Sequence, residues 1–453
     1  MAFLLIQCCN RGISSLNVNA LSGNLSQKKI AVIGGGASGI FASIAAAEHP
    51  DVQVSVLEAT SKTLQKVKIS GGGRCNVMHD TSKAVPTILE GYPRGKRELN
   101  GLYHKRFTPQ MAQEWFELRG VELKTEADGR MFPITDSSET ILNTLMDSAI
   151  QEGVDIRLRS KVNAITSTIH EDTSHPSFSI EYKDGTTEQF SAVILATGSS
   201  PTGWMLAKAL GHKLVSPVPS LFTLSCKHAV KEGGVLSGLS GISVPNARVS
   251  LSKKQFQEGP LLVTHHGLSG PAALRLSAFG ARDFHAVNYH DIVTVNWDLT
   301  LGTNVEAIFE KLWTMTSSNP KRKVSSVCPL PNNSIPRRLW ASLCLESGFD
   351  PDALWGTAPK KTVRKLATNI CSCPLEVTGK GTFKEEFVTA GGVSLKDVNM
   401  KTMESKKCPG LYFCGEVLDV DGVTGGFNFL NCWGTGFVAG HSSAESCLAV
   451  EKQ

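Results

Sequence analysis

Carboxylates are missing from the first 47 positions; Glu48 is the first acidic residue. Residues 1–27 carry Arg11 and four serines and precede the first strand pattern. An acid-free, Ser-bearing leader fits a cleaved transit peptide, which directs the protein to an organelle, plastid or mitochondrion. The alternative is a plain N-terminal tail and a cytoplasmic protein. Cys-x-x-Cys pairs are also missing, although the 453 residues include 12 cysteines. Cys371 and Cys373 stand too close for the usual zinc knuckle, so no metal site is expected. Scattered thiols suit a reducing compartment and argue against dithiol–disulfide chemistry, which needs two sulfurs that can meet. No uninterrupted apolar run reaches the length of about 18 residues that spans a bilayer. Excess charge is small: 46 basic against 41 acidic residues leave +5, too little for a protein that coats nucleic acid. Aromatic residues make up only 7%, but a hydrophobic content of 41% excludes disorder and supports two or three domains with their own cores.

Glycine is plentiful, and its placement is informative. Lys29 to Ile33 reads as a buried strand, followed by Gly34-Gly35-Gly36-Ala37-Ser38-Gly39 and an apolar, small-residue helix. A second strand, Val52 to Leu57, ends at Glu58, nineteen positions after Gly39. This is the strand, G-x-G-x-x-G loop, helix, strand, acid order of a dinucleotide site. Gly34 permits the turn, Gly36 lets the backbone approach a pyrophosphate, and Gly39 lets helix and strand pack closely. Ala37 and Ser38 open a helix whose N–H groups and dipole favour phosphate. Glu58 suits a ribose diol and would repel a 2′-phosphate.

A second cluster, Lys66-Val67-Lys68-Ile69-Ser70-Gly71-Gly72-Gly73-Arg74-Cys75-Asn76, offers accessible backbone N–H groups beside a fixed charge. Lys66, Gly72, Gly73, Arg74 and Cys75 are the candidate contacts there, and Arg74 and Arg130 are candidate binders of an anionic group. With this segment, Asp128-Gly129-Arg130-Met131-Phe132-Pro133, Thr264-His265-His266-Gly267-Leu268-Ser269-Gly270-Pro271 and the run from Gly410 to Gly422, the chain resembles the NAD(P)/FAD-dependent oxidoreductase flavoproteins. That group includes aminoacetone-oxidase-like and bile-acid-pathway members, and the resemblance extends over nearly all of the chain after the leader.

The resemblance implies an α/β fold: a discontinuous Rossmann-like FAD-binding domain with an inserted β-barrel plus helical domain. The expected parts are the leader 1–27, the first half of the FAD domain 28–203, the insert 204–377 and the second half 378–453. FAD, rather than NAD, is implied as the cofactor. Ala196, Thr197 and Gly198 are expected to pass near the first Gly loop. Gly415 and Glu416 are placed near the ribityl chain, and Gly426, Phe427 and Asn428 near the pyrimidine end of the flavin. From the residues alone, the last helix is expected to start near Asn431.

The expected activity is flavin-mediated hydride transfer on an unidentified small molecule. No second complete G-x-G-x-x-G unit is evident, so an oxidase and an NAD(P)H-linked reductase stay open, with NAD(P)H at most a transient donor. His265 and His266, in a strand-to-helix loop, are the catalytic candidates because an imidazole titrates near neutrality. Nine basic residues against three acidic between Lys321 and Lys365 keep a second class open, a flavin-dependent RNA-modifying or nucleic-acid-binding protein, with a solvated helical face as the plainer reading. A non-catalytic flavin-binding scaffold is the third.

Overall fold

The computed structural model describes residues 28–169, 176–326, 328–330, 335–381 and 388–449. The leader expectation therefore falls outside the described residues.

The pattern Lys-Lys-Ile-Ala-Val-Ile forms the strand Lys28–Ile33, whose last four residues are buried on both faces, as a central parallel strand requires. It pairs in parallel with Val52–Leu57 on one side and Ala192–Leu195 on the other. Asp155–Arg157 extends the sheet beyond Val52–Leu57, and Leu411–Phe413 joins parallel to Ala192–Leu195. Two short strands, Glu404–Ser405 and Val398–Asn399, close that edge in antiparallel fashion. The chain thus moves outward from Lys28–Ile33 in one direction and later in the other. The crevice beyond the C-terminal ends of Lys28–Ile33 and Ala192–Leu195 is the topological switch point, where doubly wound sheets bind ligands.

Between Ala192–Leu195 and Val398–Asn399 the chain leaves this sheet. Leu224–Ser225, Gly267–Ser269, Phe256–Val263, Ser243–Ser250, His290–Asn296 and Cys373–Lys380 close, in that spatial order, into a six-stranded antiparallel barrel. Val305–Trp313, Arg337–Ser347 and Lys360–Cys371 are helices on the same chain segment. Two large apolar cores result, one under the parallel sheet and one shared by barrel and helices.

The last helix is Phe427–Ala449, so it begins one turn earlier than the sequence suggests. Gly425 (φ +128°) and Gly426 (φ +89°) hold backbone that side-chain-bearing residues rarely adopt, and the helix starts directly after them. Its small residues allow close contact with the helix Ala37–Ala47: a Cβ on Gly436 would come within 2.8 Å of the Ser38 carbonyl oxygen. Among the described residues, no helix is long and apolar enough to cross a membrane.

Candidate functional site

Gly34 stands at φ +112°, and a Cβ there would lie 2.5 Å from the Ala196 carbonyl oxygen. A Cβ on Gly39 would overlap the Gly34 carbonyl oxygen. Turn and helix packing therefore both exclude side chains. Gly36, the N-cap of Ala37–Ala47, differs: a Cβ on it would meet nothing within 4 Å. Its backbone faces open space at the helix N-terminus, where a phosphate is favoured. Glu58 is half-buried beside this loop. Its Oε2 accepts from Gly35 N–H (2.7 Å) and its Oε1 from Thr60 N–H (2.7 Å), which fixes the carboxylate while leaving further lone pairs.

The neighbouring strand delivers Ala196, Thr197 and Gly198 to the same crevice. The Thr197 hydroxyl is buried and has no hydrogen-bond partner. Asn431, almost fully buried on the last helix, leaves both its amide nitrogen and its amide oxygen without a partner. Orphaned buried polar atoms are costly, and a polar ligand laid along the crevice supplies their missing partners. These atoms, the open face of Gly36 and the fixed carboxylate of Glu58 fit a dinucleotide such as FAD.

The helix Gln65–Gly73 breaks at Ser70–Gly72, where Gly71 (φ +58°) and Gly72 (φ +70°) are left-handed, and Gly73 follows at φ +88°. Cβ atoms on Gly72 and Gly73 would meet nothing within 4 Å, so this backbone also faces open space. Lys66 bridges from this helix to Glu416 (2.7 Å) and to Ser199 Oγ (3.3 Å). Arg74 is already paired, with Glu126 (2.8 Å) and Asp136 (3.4 Å), and its guanidinium lies 4.0 Å from the Phe132 ring centre. Arg130 is held by Glu126 and Asp128. The Cys75 thiol is fully buried and pushed up to about 12 by desolvation. It is a packed thiol rather than a nucleophile.

Two residues outside the predicted set tie these parts together. The Asn76 amide donates to Met78 O (3.2 Å) and accepts from Gly426 N–H (3.0 Å). His79 stacks on Phe427 with ring centres 4.4 Å apart. Its Nδ1 lies 3.0 Å from Gly425 O; a carbonyl only accepts, so Nδ1 carries the proton. Nε2 is then free to accept from the Lys83 ammonium at 3.2 Å. Burial, reinforced by Lys83, holds the His79 pKa below its ordinary value. The Gly71–Gly73 segment is thereby joined to the N-terminus of the last helix. Asn428 completes the turn, exchanging hydrogen bonds with Gly422 N–H (2.8 Å) and Gly422 O (2.9 Å). Gly415 N–H donates to Thr435 Oγ1 (2.9 Å). Asn76 stands inside a motif visible in the sequence, but its partner Gly426 lies 350 positions away along the chain.

His265 and His266 are exposed in the turn between Phe256–Val263 and Gly267–Ser269. Neither ring makes a hydrogen bond among the described residues; the His266 carbonyl accepts from Cys226 N–H (2.8 Å).

The insert is docked onto this region through Asp421, which is fully buried and paired with Arg94. Ser220 Oγ donates to Asp421 (2.9 Å), and Arg94 also donates to Ala278 O (2.8 Å) on the insert helix Gly270–Phe279. These bonds tie the insert to Asp421, four residues before Gly425.

The family described as HI0933-like protein Rossmann domain matches residues 28–442. A ribosomal RNA dihydrouridine synthase of Haemophilus influenzae is 29% identical over 93% of this chain and 98% of its own length. A 3-dehydro-bile acid delta(4,6)-reductase of Clostridium scindens is 27% identical over 92% of this chain and 99% of its own. A 3-ketosteroid-delta4-(5alpha)-dehydrogenase structure from Rhodococcus jostii is 15% identical, covers 92% of this chain and 97% of its own, and has a TM-score of 0.47.

Proposed function

The chain belongs to the HI0933-like Rossmann family of FAD-dependent oxidoreductases, and from that premise we propose that it reduces a carbon–carbon double bond conjugated to a carbonyl group. FAD supplies the two-electron chemistry when bound. The protein's work is to hold the cofactor, place the substrate and exclude water. Gly34, Gly36 and Gly39 shape the pyrophosphate turn, and Glu58 takes the ribose. Thr197, Asn431 and the Gly72–Gly73 backbone supply polar contacts along the crevice.

The observation that carries the proposal is the junction at Gly425–Phe427. There the positive end of a 23-residue helix is linked through Asn76 to the segment that follows Gly71–Gly73, and the insert is tied to Asp421 just upstream. Hydride addition to a conjugated double bond pushes negative charge onto the carbonyl oxygen. A helix N-terminus stabilises such charge by about 0.3–1 kcal/mol when exposed and up to about 2 kcal/mol when partly buried. The names of both relatives, a dihydrouridine synthase and a delta(4,6)-reductase, denote hydrogen added to an unsaturated substrate.

Anaerobic mixing with NADH and with NADPH tests the proposal. Bleaching of the yellow flavin band by one of them, and its return on adding a conjugated enone, is the expected result. No bleaching with either overturns the reductase reading and leaves the oxidase or the scaffold.

One observation favours a polymeric substrate. Lys321, Arg322, Arg337 and Lys361 are exposed and form no salt bridge among the described residues. The hydrogen bonds Gly356 N–H to Pro320 O (2.8 Å) and Trp355 N–H to Arg322 O (3.0 Å) set the first two beside the segment that leads into Lys360–Cys371. On this second reading the double bond belongs to a base in RNA. RNA affinity that falls steeply with salt, and that is lost when Lys321 and Arg322 are neutralised, is its signature.

A further inference from the structure

Seven arginines among the described residues are half-buried, and six of them each hold a carboxylate: Arg74, Arg94, Arg119, Arg130, Arg157 and Arg248. The seventh, Arg275, makes no hydrogen bond and no ion pair. It sits on the insert helix Gly270–Phe279, beside Leu274, which packs against the core of the FAD domain, and one turn before Ala278, whose carbonyl accepts from Arg94. That face of the helix is therefore the one turned toward the FAD domain.

Across the junction stands His79, which feels the charge of Arg275 and touches the Lys83 ammonium. The Lys83 ammonium thus sits against this imidazole and the charge of Arg275 reaches it more weakly, while the ring stacks on Phe427 in the first turn of the last helix. The one carboxylate acting on His79 is Asp80, and it is engaged by the Ser82 hydroxyl (2.6 Å) and the Ser82 N–H (3.1 Å). Among the described residues this positive charge is uncompensated, although every other half-buried guanidinium is paired. Taking a guanidinium partly out of water without a partner is unfavourable, and its planar fork matches a carboxylate or a phosphate in two-point contact.

We propose that Arg275, with Lys83, forms a subsite for an oxyanion carried by the substrate, at the junction of the insert and the FAD domain. The inference rests on the reading of this junction as the substrate site and deepens it: the substrate bears a carboxylate or phosphate in addition to the bond that reacts. Arg275 is a specificity-determining residue here, and Lys83 serves both His79 and the anion.

The test is a titration of the oxidised holoprotein, followed by the flavin difference spectrum, with benzoate, with its neutral isostere benzamide and with inorganic phosphate. Wild type should bind benzoate or phosphate in preference to benzamide; whichever anion binds better separates the two sources of the charge. Arg275→Gln should weaken the preferred anion about tenfold and leave benzamide unchanged, with Arg275→Lys recovering part of the loss. Lys83→Met provides a second variant should Arg275→Gln fail to fold, and it should weaken the same anion. Lys311→Gln, on the exposed side of the insert helix Val305–Trp313, should change nothing. No anion preference in wild type, or unchanged anion affinity in Arg275→Gln and in Lys83→Met, overturns the subsite. The two failures are distinguishable: a yellow protein indifferent to anions loses only the subsite, whereas a protein that binds no flavin loses the proposed function.

Discussion

Arg94 and Asp421, 327 positions apart, meet in an ion pair that ties the two halves of the FAD domain together and carries the contacts to the insert. Asp421 is fully buried and also accepts from Ser220, while Arg94 reaches the insert helix through Ala278 O. Removing one partner of a buried pair strands the other charge and costs about 3–5 kcal/mol. Arg94→Ala should lower the unfolding free energy by about that amount in urea titration. A Lys96→Ala control, at an exposed pair with Glu90, should stay within about 1 kcal/mol of wild type.

The glycines of the first loop should separate into two kinds. Gly36→Val places its side chain in the open space where the pyrophosphate is proposed to lie. It should abolish flavin retention at a fold cost of only about 1 kcal/mol, as a lost cap. Gly39→Val collides with the Gly34 carbonyl and should prevent folding. Flavin content by absorbance and folding by circular dichroism distinguish the outcomes.

Acid should destabilise the protein through its buried imidazoles. His79 and His212 both have pKa values held below the ordinary 6.5, burial being the main cause. For His212, Ala207 O and the charges of Asp397 and Lys407 act besides burial; for His79, Gly425 O, Asp80, Lys83 and Arg275 do. Below about pH 6.5 the unfolded chain takes up protons that the folded chain refuses, so stability is complete above that pH and falls as the pH drops toward the folded values. Tm measured from pH 7.5 to pH 5 should decline, and His212→Gln should flatten the decline. A Tm that rises toward pH 5 contradicts the assignment.

The thiols should be silent. All ten cysteines among the described residues are free and buried, and desolvation pushes Cys75, Cys226 and Cys414 up to about 12. A thiol-specific disulfide reagent should modify none of these ten in the native holoprotein and all of them in guanidinium. Fast native labelling of Cys75 or Cys414 would reopen a redox role for that residue.

Much of this architecture is legible without coordinates because its signals are local. The Lys28–Ile33 strand, its Gly turn, the following helix and Glu58 occupy one short stretch, and each position is set by backbone sterics that neighbouring residues impose. The start of the last helix is less legible: the residues point to Asn431, whereas two glycines at positive φ fix the start one turn earlier, directly after Gly426. Arg74 shows the opposite difficulty. Its charge is plain in the sequence, but its neutralisation by Glu126 and Asp136 depends on residues more than fifty positions away.

By itself, the sequence determined the α/β class, the dinucleotide turn and the glycines that admit no side chain, because steric exclusion and strand periodicity act between near neighbours. Tertiary structure alone decided that Asn76 meets Gly426, that His79 lies between Lys83 and the Gly425 carbonyl, and that Arg275 is left without a carboxylate among the described residues. The first two depend on how the two halves of a discontinuous FAD domain meet, the third on where the insert docks on them. Side-chain pairing across such a junction follows from packing in three dimensions, which no spacing along the chain encodes.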